Sequence, residues 1–97
     1  MDASYHPAMP PARTIHPDAA RFGAIVKRAR LDRGWTRKKL ATRSGMTAGY
    51  IAILEYGGNV PSLPTVLELT EVLGVDVGDV MRQLATARTA RPAAPAE

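Results

Sequence analysis

Between Gly34 and Leu63 the chain sets Thr36 and Thr47 each just ahead of a short amphipathic run, with Gly45 between the two runs. A threonine in that place caps a helix, because its hydroxyl accepts from a backbone N–H that the helix leaves unpaired. A glycine between the runs supplies the left-handed turn that stops the first. Helices of roughly two turns are not stable in isolation, so both must be held by packing. A turn this tight also forces them to cross steeply. One helix then braces the other, which projects from the surface.

The flanking sequence supplies the rest of a small helical domain. A first helix begins at Pro17 and Asp18, carries Phe22, Ile25, Val26 and Ala29 as one apolar stripe, and stops at Gly34. The second turns Leu40 and Ala41 inward and ends near Ser44; the third buries Ile51 and Leu54 and ends before Gly57. A fourth is capped by Ser62, tolerates Pro64 in its first turn, directs Val66, Leu67, Thr70 and Leu73 to the core, and closes at Gly74. A fifth opens with Asp76 and Asp79 as a carboxylate version of the capping box and presents Val77, Val80, Met81 and Leu84. No stretch alternates as a strand does. The expected fold is all-α, a five-helix domain over residues 17–86. Residues 1–16, with Pro7, Pro10 and Pro11, read as a flexible N-terminal arm, and residues 87–97 as a disordered C-terminal tail.

At 97 residues the chain is expected to hold one small domain, without a separate sensing or catalytic unit. It has no cysteine, which excludes disulfides and thiolate metal sites and suits a reducing cytoplasm. No apolar run approaches the ~20 residues of a membrane span, and no membrane partner is expected. The net charge of +4 is unevenly spread. Residues 21–43 hold nine cations against Asp32 alone, leaving +8, whereas residues 44–81 hold five carboxylates and no Lys or Arg, leaving −5. One side of the domain therefore attracts a polyanion.

The pattern Gly23, Arg30, Gly34, Thr36, Leu40-Ala41, Gly45, Thr47, Tyr50-Ile51, Leu54-Glu55, Gly57, Pro61-Ser62-Leu63 and Leu73-Gly74-Val75-Asp76 resembles the phage-repressor-like helix-turn-helix family, the Cro/C1 or XRE type. The resemblance covers residues 22–84 and implies a DNA-binding regulator whose third helix enters the major groove. It also implies a structural pair of Arg30 with Glu55, fixing the angle at which the third helix leaves the core. Arg37 stands where the family commonly has a glutamine on phosphate, and an arginine also binds phosphate from there. Arg33, Arg37, Lys38, Lys39 and Arg43 are the candidate phosphate contacts; Thr47, Ala48, Gly49, Tyr50, Ala52, Ile53 and Asn59 are the candidate base or groove contacts.

The departures from that family lie in the reading positions. Ala48, Gly49, Ala52 and Ile53 lack hydrogen-bonding groups where relatives carry polar or basic side chains. Of the two ways to read a major-groove edge, only apolar contact with a thymine methyl is open to Ala48 and Ala52. Thr47, Tyr50 and Asn59 are the nearby groups able to hydrogen-bond. Two readings follow. In one, DNA is recognised mainly by shape and phosphate geometry. In the other, the apolar surface of Ala48, Ala52, Ile53 and Tyr56 docks on protein, making the chain an interaction module.

Other constellations carry less. His6 and His16 lie in or beside the arm without enough companions for a metal site. No nucleophile–base cluster and no phosphate-cradling loop is visible, so neither enzyme activity nor a cofactor is expected. Arg13 has two readings, a minor-groove contact made by the arm or part of a plain disordered tail. Trp35 is expected to cover the core edge between the first two helices, and Met46 to fill the turn. The resulting expectation is a regulator binding double-stranded DNA as a homodimer, its reading helices about one turn (~34 Å) apart. Its role would be repression of a mobile element or toxin–antitoxin operon, with a toxin or co-regulator as the possible protein partner.

Overall fold

The local signals set the helix boundaries. In a computed structural model, which describes residues 16–90, the helices are α1 (Pro17–Asp32), α2 (Arg37–Ser44), α3 (Ala48–Tyr56), α4 (Leu63–Leu73) and α5 (Val77–Ala90). Among the described residues there is no strand. Thr36 Oγ1 accepts from Lys39 N at 3.0 Å, Thr47 Oγ1 from Tyr50 N at 3.0 Å, and Ser62 Oγ from Thr65 N at 3.3 Å. Gly45 closes α2 with φ 73°, a left-handed value that any Cβ would strain. Met46 N then reaches back to Ala41 O at 2.9 Å, and the chain turns directly into α3.

Packing gathers around Phe22 and Val26 from α1, Leu40 from α2, Ile51 and Leu54 from α3, Leu69 and Leu73 from α4, and Val80 from α5. Helix α3 lies against α1 and α2, while α4 and α5 cover the remaining sides of α1. Gly23 sets the closeness of α1 to α3. A Cβ on that residue would stand 2.2 Å from the Leu54 carbonyl oxygen and 2.9 Å from that of Glu55. Only a residue without a side chain lets the two backbones meet there.

In α4 the buried row is Val66, Leu69, Thr70 and Leu73, whereas Leu67 is 47% exposed. The sequence reading took Leu67 for the core member. Positions i, i+3, i+4 and i+7 counted from Val66 pass through Leu69 instead. In α5 only Val80 is buried; Met81, expected inside, is 42% exposed. Val77 and Leu84 are half-buried, so α5 packs by a narrow flank. Its capping differs as well. Asp76 Oδ1 accepts from Gly78 N at 3.2 Å, and Asp79 pairs with Arg82 rather than reaching back. The helix also continues to Ala90, four residues into the stretch expected as tail, and Arg88 reaches Asp18 of α1 at 3.3 Å. Ala85, Ala87 and Ala90 favour that extension. The arm up to Ile15, with His6 and Arg13, and the tail from Arg91 lie outside the described residues.

Replacing Gly23 by alanine forces α1 and α3 apart, and a loss on the order of 3 kcal/mol in urea or thermal unfolding is expected. An unchanged unfolding midpoint for Gly23→Ala would contradict this packing.

Candidate nucleic-acid interface

Helix α3 turns Ile51, Leu54 and Glu55 inward. At helical spacing the opposite face carries residues 48, 49, 52, 53 and 56. Ala48 and Gly49 are exposed, Ala52 is half-buried, and Ile53 and Tyr56 are 51% and 70% exposed. Nothing stands within 4 Å of where a Cβ on Gly49 would be. Tyr56 belongs to this face although the sequence reading did not place it among the groove contacts. Its spacing of three from Ile53 and four from Ala52 is the signal that marks it.

The polar candidates are engaged within the fold. Thr47 Oγ1 serves as the cap of α3. The Tyr50 hydroxyl donates to Asn59 Oδ1 at 2.9 Å, with both residues half-buried, which ties α3 to the loop before α4. The Asn59 amide nitrogen keeps its donors.

The five candidate phosphate cations fall into three groups. Lys38 and Lys39, on the first turn of α2, are exposed, and among the described residues neither is paired with a carboxylate. Arg33 and Arg43 flank Trp35, with guanidinium carbons 5.9 Å and 4.9 Å from the ring centroid. Trp35 is half-buried and packs on the core edge, as expected, and it also holds two of the cations. Arg33 Nη2 lies over the end of α4, 2.8 Å from where a Gly74 Cβ would be.

Arg37 forms the third group. Its Nε donates to Glu55 Oε1 at 3.0 Å, so an expected phosphate ligand is partly committed to the protein itself. The other two guanidinium nitrogens are left for an anion, and the side chain is 45% exposed. Glu55 is the centre of the arrangement. Arg30 holds it with two bonds, Nε to Oε2 at 2.6 Å and Nη2 to Oε1 at 3.0 Å. Arg30 Nη1 donates to the Trp35 carbonyl at 2.9 Å. The Arg30 and Glu55 side chains are 7% and 2% exposed. Two arginines, one from α1 and one from α2, thus share the carboxylate that ends α3.

A projecting helix with an uncovered face, braced by a second whose first turn is cationic, is the geometry of a DNA-reading unit. The helix-turn-helix family model matches residues 26–80. The chain belongs to the phage-repressor-like, Cro/C1 or XRE-type helix-turn-helix family. This is a family of DNA-binding transcriptional regulators and not of enzymes. The regulator is 36% identical over 53 residues to an uncharacterised HTH-type transcriptional regulator, y4dJ, of Sinorhizobium fredii, covering 55% of this chain and 69% of that protein. In structure it is similar to the clp gene regulator ClgR of Corynebacterium glutamicum, with TM-score 0.69 and 28% identity over 78% of this chain and 99% of that one. It is also similar to the restriction-modification controller protein C.AhdI of Aeromonas hydrophila, with TM-score 0.63 and 26% identity over 67% and 98% of the two chains. No helix among the regulator's described residues is long and apolar enough to cross a membrane.

Because the Glu55 cluster is buried, removing one partner strands a charge. Arg30→Met and Glu55→Gln are each expected to cost about 3 kcal/mol, with the double variant no worse than the poorer single one. Arg37→Gln, at a half-exposed position, should cost about 1 kcal/mol or less. Thermal unfolding of the four variants measures this, and strictly additive losses would contradict the shared carboxylate.

Proposed function

We propose that this regulator binds double-stranded DNA as a symmetric homodimer, with α3 in the major groove and α2 over the phosphates. The observation that carries the reading is an α3 face that is exposed, together with Lys38 and Lys39 on the bracing helix, exposed and without a carboxylate partner among the described residues. Arg37 adds its two outer nitrogens from a position fixed by Glu55. Arg33 and Arg43, stacked on Trp35, contribute to the field and are secondary as contacts. A single helix the length of α3 covers too few base pairs for useful affinity. A twofold partner adds a second half-site about one turn (~34 Å) away.

The regulatory output we propose is repression. A dimer seated on a promoter obstructs it without any further surface. Promoters of mobile elements or of toxin–antitoxin operons suit such a protein, with occupancy set by its concentration or by a toxin or co-regulator. Relatives that include a restriction-modification controller and a clp gene regulator support a role at specific promoters. The exposure of Ile53 and Tyr56 gives a second reading some weight, in which α3 docks on a protein instead. The charge division favours DNA, since an apolar protein groove needs no exposed cations such as Lys38 and Lys39 on the bracing helix.

Salt separates the two. With Lys38, Lys39 and Arg37 each on a phosphate, a dimer neutralises about six, and log K against log salt should fall with a slope near −5. Lys38→Ala or Lys39→Ala should weaken binding to all duplexes alike and flatten the slope by about two units, one per protomer. A salt-insensitive protein that loses a protein complex on Ile53→Glu would overturn the DNA reading.

A further inference from the structure

From Ala48 to Ile53 the outward face of α3 offers no side chain that reads a polar base edge. Thr47 Oγ1 is occupied as a cap, and the Tyr50 hydroxyl is occupied by Asn59. What the face presents at Ala48, Ala52 and Ile53 is carbon, with the bare backbone of Gly49 between them, and Tyr56 adds a ring and a hydroxyl at the far end. In the major groove the bases present hydrogen-bonding atoms and one projecting apolar group, the thymine methyl.

We propose that α3 reads thymine methyl groups, so that the specific ligand is duplex DNA with thymines opposite Ala48, Ala52 and Ile53. The inference rests on the DNA-binding reading above and names what that site selects. Charge chooses the occupant: the first turn of α2, tied to α3 by the Arg37–Glu55 bond, carries Lys38 and Lys39 with no carboxylate partner among the described residues. Ile53 extends furthest, with half its surface free to meet a methyl. Gly49 has a different task. With open space around it, its missing side chain is not required by the fold, and it lets the helix backbone approach the base edges closely. Polar base edges facing this surface would lose water without gaining a partner, so cytosine and guanine are disfavoured opposite it.

The test uses the full chain and a duplex it selects from random DNA long enough for two half-sites. That duplex is remade with deoxyuridine for each thymine in turn, which removes a methyl and leaves every hydrogen-bonding group in place. Each contacted thymine should weaken binding about fourfold, the equivalent of ~0.8 kcal/mol per buried methyl at ~1.4 kcal/mol per factor of ten. The salt slope should not change, since no phosphate contact is touched. In Ile53→Ala, the thymine opposite residue 53 should lose its sensitivity while the others keep theirs. Gly49→Ala should fold at least as stably, alanine being the better helix former, yet bind the selected duplex several-fold more weakly.

Less than about twofold loss at every thymine overturns the inference. So does a selection that yields no preferred duplex, or Ile53→Glu binding the selected duplex as tightly as the natural chain. If duplex binding keeps its steep salt slope while deoxyuridine has no effect, methyl reading alone fails. If no duplex is bound and Ile53→Glu instead breaks a protein complex, the DNA reading fails with it.

Discussion

The carboxylate of Glu55, buried at the end of α3, accepts from Arg30 on α1 and from Arg37 on α2, and this exchange of charge fixes three helices relative to one another. An unpaired carboxylate at that depth is costly, so the helices cannot shift singly without a large loss. Arg30 is fixed in turn by the Trp35 carbonyl in the connection between α1 and α2. Beneath this polar anchor, Gly23 lets α1 approach the α3 backbone at the same end of the helix. The direction in which α3 leaves the domain is therefore set from both sides.

The anchor also links the interior to the binding surface. Arg37 uses one nitrogen to hold Glu55 while its side chain stays 45% exposed, so the group proposed to touch phosphate is positioned by the group that positions α3. Neighbouring Lys38 and Lys39 are long and exposed, supplying charge without fixed geometry. In the proposed complex, affinity and orientation then come from different residues on one short helix. On α3 itself the division is reversed: its inner side carries the charged anchor, and its outer side is carbon from Ala48 to Ile53. Such a face contributes little by hydrogen bonding, which leaves shape, phosphate contact and methyl contact as its means of discrimination.

Much of the fold was legible because its determinants are local. Thr36, Thr47 and Ser62 cap helices where single hydroxyl residues precede apolar runs, and Gly45 stops α2 by its conformation. The Arg30–Glu55 pair came from the resemblance, being 25 residues apart and invisible to periodicity. The Arg37–Glu55 bond was not anticipated, since a surface arginine at the start of a helix carries no mark of reaching a buried carboxylate. The bond between Tyr50 and Asn59 was missed for the same reason: it depends on how the loop after α3 folds back. Where apolar residues are dense, as in α4, the sequence pattern points to Leu67 as the core residue, and the packing takes Leu69 instead. In α5 the stripe was present but the partner surface was narrow, so Met81 stayed outside.

The central claim is that α3, and no other surface, enters the major groove. It is tested most directly by photo-crosslinking the regulator to a bound duplex carrying iodouracil in place of thymine, because the iodine stands in the major groove where the methyl does. Peptide mapping should place the crosslinks on residues 48–56, Tyr56 and Ile53 among them. Crosslinks confined to α4 or α5, or none from a duplex that is demonstrably bound, would contradict the account.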